Sequence, residues 1–128
     1  MKREFSAGVI IYKISNNNQR LYLLLLYPKG YWDLPKGKLE FNETNLDALI
    51  NSDFEEKLSY SFKDFKGRAI NKEVTFFVGQ AVGEKVILSK EHLNYKWATF
   101  EDSIELLTFE NAKNILNKAE QFLMSVNN

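Results

Sequence analysis

The stretch Tyr31–Tyr60, YWDLPKGKLEFNETNLDALINSDFEEKLSY, decides how this chain is read. It opens on a loop punctuated by Pro35 and Gly37, passes through Asn42, Glu43 and Thr44, and reaches the acidic pair Glu55–Glu56. Helix signals begin at Asn42–Thr44, where Thr44 and Asp47 are spaced for a capping box. Leu46, Leu49, Ile50 and Phe54 fall three and four residues apart, as on one face of a helix. The spacing therefore predicts a helix that ends near Leu58, followed by a strand over Ser59–Phe65. Asn42 tolerates left-handed backbone well enough to close the loop ahead of it.

Composition narrows the function classes. A chain of 128 residues is one domain's worth and buries roughly two-thirds of its unfolded surface. With 45% hydrophobic residues it is globular rather than disordered. Its 17 basic and 17 acidic residues cancel, which argues against general attraction to nucleic acid or to an anionic membrane. There are no cysteines, so disulfides, thiolate metal sites and a thiol nucleophile are excluded together. The apolar run Ala7–Tyr12 is too short for a signal-peptide core or a membrane span. These features lead us to expect a soluble, cytoplasmic protein.

Outward from the central stretch, Phe5–Ile14 and Leu21–Tyr27 read as strands joined by the turn Asn16–Asn18. The second is apolar on both faces, as a buried strand would be. Gly67–Arg68 marks a loop, and Val74–Val82 is the clearest strand of the C-terminal half, with Val86–Leu88 as its extension after Gly83. Glu91–Trp97 reads as loop and short strand, and Thr99–Asp102 starts a short helix. Phe109–Val126 is a longer helix with Ala112, Ile115, Leu116, Ala119, Leu123 and Val126 on its apolar face. The order strands, helix, strands, helices predicts a mixed α/β domain.

Gly37, Glu43, Glu55 and Glu56 carry a resemblance to the Nudix box, in which a Gly, a Glu and a Glu-Glu pair recur at this spacing. The departures are Asn51–Ser52 where the box has Arg-Glu, Asp53 at the apolar position after it, and no Gly after Lys57. The C-terminal third, SKEHLNYKWATFEDSIELLTFENAKNILNKAEQFL, and Trp32, Pro35, Lys36 and Gly37 resemble the asymmetrical diadenosine tetraphosphate hydrolases of that family. The likeness covers nearly the whole chain. It implies one Nudix-type domain over residues 1–128, an α/β/α sandwich with a mixed β-sheet and helices on both sides.

In the intact motif three Glu lie at roughly 0°, 300° and 40° around the helix, a cluster that holds magnesium beside a pyrophosphate. Ser52 stands at the first of these positions, leaving Glu55 and Glu56. The short side chain of Asp53 points to a solvated face more than to a metal. By resemblance, Glu55, Glu56 and Glu91 form the catalytic set. A Mg2+ or Mn2+ ion would be held by the same three residues and by the carbonyl of Gly37. Trp32, Lys36, Lys38, Lys72 and Phe109 would contact substrate, with Lys38 and Lys72 equally readable as solvated lysines. Phe109 either stacks on adenine or packs under the last helix. Glu40 reads as a turn carboxylate, Glu43 as a charge favourable to a helix N-terminus. His92 reads as a structural imidazole, and Tyr95 and Trp97 as core or wall.

The resemblance thus implies a metal-dependent hydrolase of dinucleoside polyphosphates, weakened by Ser52, with a small-molecule nucleotide as its partner. The alternative is a catalytically inactive nucleotide-binding or protein-interaction module on the same fold.

Overall fold

The computed structural model describes residues 2–35, 48–82 and 93–126. Its strands are β1 (Lys2–Ile14), β2 (Arg20–Leu26), β3 (Trp32–Asp33), β4 (Ala48–Lys63), β5 (Ala69–Ala81) and β6 (Asn94–Ala98). Two helices follow, α1 (Phe100–Leu106) and α2 (Glu110–Val126). The strands form one mixed sheet in the order β3-β2-β1-β5-β4, with β6 on β2. β1 and β5 run parallel from Lys2↔Ile70 to Tyr12↔Gln80, and the other pairings are antiparallel.

The first hairpin forms where the turn residues predict it. Asn18 takes a left-handed φ of 62°, and the Ser15 amide donates to the Gln19 carbonyl at 2.8 Å. Beyond the turn, Tyr22, Leu23, Leu24 and Leu25 are all fully buried, as a strand apolar on both faces requires. Alternation divides them between two clusters. Tyr22 and Leu24 join Ile10, Phe76, Val78 and the helices on one face. Leu23 and Leu25 join Val9, Ile11 and Tyr27 on the other, flanked by Trp97 and Tyr31.

Thr99 caps α1, its hydroxyl accepting the Asp102 amide at 3.2 Å. In α2, Ala112, Ile115, Leu116, Ala119 and Leu123 are buried on the three- and four-residue spacing read from the sequence. Val126 departs from that reading: it is 48% exposed, past the end of the sheet-facing stripe. Both helices pack on the Tyr22–Leu24 face of the sheet. Trp97 lies half-buried with the Lys13 ammonium 4.5 Å from its ring, whereas Tyr95 is exposed. No helix among the described residues is long and apolar enough to cross a membrane.

The helix expected over residues 44–58 is corrected from Ala48 onward, because residues 48–63 are strand β4, paired antiparallel with β5. Two apolar periods overlap in this stretch, and the two-residue one wins. Phe54, Leu58 and Tyr60 all pack into the helix-side core from alternate positions of β4. The competing stripe fails in the fold: Leu49 is 69% and Ile50 47% exposed. The register breaks between Asn51 and Glu56, and the ladder then runs on to Lys63↔Ala69. Residues 44–47, where that helix was to start, lie outside the described residues, as does Val86–Leu88.

Candidate nucleotide cleft

A cleft of about 660 Å³ opens between the β2–β3 turn, the start of α2 and the helix-side face of β4 and β5. Three local features build it. At the β2–β3 turn, Gly30 adopts a φ of 88°, which a residue with a Cβ rarely takes, and its amide donates to the Tyr27 carbonyl at 2.9 Å. That turn presents Pro28, Lys29 and Tyr31 at the cleft. Next, β3 is tied to the loop before α2 by two bonds. The Trp32 amide donates to the Thr108 hydroxyl at 3.0 Å, and the Thr108 amide to the Trp32 carbonyl at 3.2 Å. This pairing sets Phe109 edge-on to Tyr31, with ring centroids 5.1 Å apart. Finally, the β4 register brings Leu58 and Tyr60 onto the same face as buried Phe76.

The result is an aromatic slot with a polar mouth. Tyr31, Tyr60, Phe76 and Phe109 supply ring surface, while Lys29 and Asn111 are exposed at its edge. Tyr27 stacks behind Tyr31 at 5.1 Å and its hydroxyl donates to the Leu34 carbonyl at 3.1 Å, which stiffens that wall. Such a lining offers ring faces and edges for dispersion contact with an apolar or aromatic group.

The substrate-contact residues read from the sequence are distributed unevenly around it. Phe109 lines the cleft and is 45% exposed. Lys72 pairs with Tyr60 across β4 and β5, so the two side chains share a face, with Cβ atoms about 5 Å apart. Trp32 packs against the helix-side core and is not among the described residues lining the cleft. Lys36, Gly37, Lys38 and Glu91 lie outside the described residues, with Glu40, Glu43 and His92.

The acidic pair is split. Glu56 faces α2, where its carboxylate lies 3.5 Å from the Lys118 ammonium. Glu55 is one residue earlier, in the register break between Asn51 and Glu56, and is exposed. Among the described residues no group of three His, Cys, Asp or Glu side chains could hold a metal ion. Glu55 and Glu56 as placed do not fit the divalent cation that the resemblance implies.

Tyr31, Tyr60 and Lys29 escaped the sequence reading. The signal for Tyr60 was present as the alternation Phe54, Leu58, Tyr60, Phe62 around polar neighbours. Nothing in the sequence shows that Tyr31 meets Phe109, because that contact depends on the Trp32–Thr108 pairing.

No protein-family model matches the chain. It is 30% identical over 136 residues to the asymmetrical bis(5'-nucleosyl)-tetraphosphatase of Caenorhabditis elegans, covering 92% of this chain and 95% of that one. The crystal structure of a C. elegans Ap4A hydrolase binary complex superposes with a TM-score of 0.78 at 28% identity, covering 95% of this chain and 98% of the other. The NUDIX domain of Shewanella oneidensis NrtR, solved with ADP ribose, shares the fold at a TM-score of 0.70 and 12% identity, over 96% of this chain and 90% of that one. An alignment of 136 positions is longer than this 128-residue chain, so the C. elegans enzyme carries residues with no counterpart here. With that likeness spanning nearly both full lengths, the chain belongs to the Nudix hydrolase family and resembles its asymmetrical diadenosine tetraphosphate hydrolases.

Proposed function

We propose that this protein takes a dinucleoside polyphosphate of the diadenosine tetraphosphate type as its ligand and hydrolyses it slowly in the cytoplasm. The observation that carries this reading is the slot lined by Tyr31, Tyr60 and Phe109, in a chain alignable with a tetraphosphatase over nearly its whole length. A purine would enter the slot and exchange hydration of its faces for contact with Phe109 and Tyr60. Lys29 at the mouth and Lys72 beside Tyr60 would meet the polyphosphate as point charges. Lys36 and Lys38 are proposed for the same role. Water would attack one phosphorus, a bridging P–O bond would break as the new P–O bond forms, and the ligand would leave as a mononucleotide and the remaining nucleotide.

Nudix hydrolases in general depend on a divalent metal, and Mg2+ or Mn2+ is the cofactor proposed here. Since Glu55 and Glu56 do not converge, the low rate is part of the proposal. The split of the acidic pair is also compatible with a second reading, binding without turnover, which the likeness to hydrolases does not favour.

One experiment separates the readings. The protein is incubated with diadenosine tetraphosphate and Mg2+ or Mn2+, nucleotide release is followed by chromatography, and affinity is measured by calorimetry. Metal-dependent release of mononucleotide supports slow hydrolysis. Binding with no product supports the second reading, and absence of binding rejects both.

A further inference from the structure

We infer that strand β4 stands in this chain where the Nudix box has its carboxylate helix, so that Glu55 and Glu56 are sheet residues and bind no divalent cation. The inference rests on the family assignment and not on the ligand proposed above.

The ladder comes first. Glu56↔Phe76, Lys57↔Thr75, Leu58↔Val74 and Ser59↔Glu73 are successive antiparallel partners, a register that no helical turn can make. Consecutive residues of a strand point to opposite faces, whereas on a helix they differ by only about 100°. On β4, Glu55 lies exposed within the break between Asn51 and Glu56, whereas Glu56 begins the ladder again and is held against Lys118, so the two are not gathered as on a box helix.

The helix-side positions are also occupied. Phe54 is 5% exposed and its ring centroid lies 5.4 Å from that of Phe122. Glu56 meets Lys118, one turn earlier on α2. The two β4 side chains thus face one surface of α2, and rebuilding residues 51–56 as a helix would remove Phe54 from the core. Exposed Leu49 and Ile50 are what remains of the apolar stripe such a helix would have buried.

The start of β4 bears on the same point. In the family pattern the box extends from Gly37 past Glu56, but here β4 begins at Ala48. The agreement of Glu55–Glu56 with the box spacing is then a coincidence of sequence, because the pair belongs to the strand.

The absence of native cysteines makes the test clean. Two double variants, Lys57→Cys with Thr75→Cys and Ser59→Cys with Glu73→Cys, place thiols on facing residues of β4 and β5. Each pair is expected to close within one chain, by oxidation or with a bifunctional thiol reagent spanning about 5 Å. Failure of both folded variants to cross-link overturns the register. In parallel, Mn2+ binding is measured by electron paramagnetic resonance in the wild type and in Glu55→Gln, Glu56→Gln and the double variant. Equal binding in all four, including none in any, is the expected result. A tenfold or greater loss in the double variant overturns the inference.

Discussion

The Glu120 carboxylate on α2 accepts the Tyr22 hydroxyl at 2.6 Å and the Arg20 guanidinium at 2.8 Å, both from β2. These bonds fasten the last helix to the centre of the sheet. Tyr22 is fully buried, and the Arg20 and Glu120 side chains are 15% and 16% exposed, so the group is shielded from water and salt. Arg20 also lies over the Tyr12 ring, 5.9 Å from its centroid.

This arrangement predicts alkaline sensitivity. Burial first, and then the hydrogen bond to Glu120, push the Tyr22 phenol well above its ordinary value. A raised folded value means that the neutral phenol's contribution is complete below the unfolded value of 10.0 and is lost as pH rises beyond it. Urea midpoints at pH 8 and about pH 11 should therefore fall more steeply for the wild type than for Tyr22→Phe. At neutral pH, Tyr22→Phe should cost about 1.5–3 kcal/mol through the lost hydrogen bond to a carboxylate.

Gly8→Ala should destabilise more than its size suggests. A Cβ at Gly8 would lie 2.5 Å from Phe76 Cε1 and 2.8 Å from the Pro35 carbonyl oxygen. The Phe76 ring is 1% exposed and has little room to turn. The Pro35 carbonyl is already engaged, accepting the Val9 amide at 3.1 Å. Since one obstacle is backbone, β1 itself must shift, at about 1–3 kcal/mol by the measure of overpacked cores. Chemical denaturation of the variant against the wild type checks this.

Much of the frame is legible in the sequence because its signals do not compete. The turn at Asn16–Asn18, the doubly apolar run of β2 and the stripe of α2 each point to one structure. β4 was unreadable for the opposite reason. Leu46, Leu49, Ile50 and Phe54 satisfy a helical period, Phe54, Leu58, Tyr60 and Phe62 satisfy a strand period, and Phe54 belongs to both. The place beside β5 decides between them, and that is a tertiary fact. The same holds for the cleft, where Phe109 was reachable by resemblance but its neighbours Tyr31 and Tyr60 come from pairings far apart in the chain.

The β4–β5 turn should loosen in acid. Asp64 accepts the Arg68 amide at 2.9 Å, the Arg68 Nε at 2.8 Å and the Lys66 amide at 2.9 Å, while Gly67 takes a φ of 77°. The bond from the Arg68 amide, followed by those from the Arg68 side chain and Lys66, lowers the Asp64 carboxyl below its usual value of 3.8. A depressed folded value means the turn is supported above the unfolded value and loses that support as pH falls through the folded one. NMR should show weaker hydrogen bonding of the Lys66 and Arg68 amides as pH is taken progressively below the carboxyl's ordinary value of 3.8. Asp64→Asn should reproduce the effect near neutrality.

Phe109→Ala should separate binding from folding. The ring is 45% exposed, approaches Tyr31 edge-on and stands outside the helix-side core, so its removal leaves that core intact. If Phe109 stacks on a nucleobase, its loss should weaken binding of diadenosine tetraphosphate by about 1–3 kcal/mol, the range for base–aromatic stacking. That corresponds to roughly 5- to 150-fold in Kd. Phe109→Tyr should bind nearly as the wild type does, since the ring face is kept. Calorimetric titration of all three proteins, alongside their thermal midpoints, distinguishes the two roles this residue can play. Weaker binding with an unchanged midpoint assigns Phe109 to the ligand, whereas a lowered midpoint with unchanged affinity assigns it to packing beneath α2.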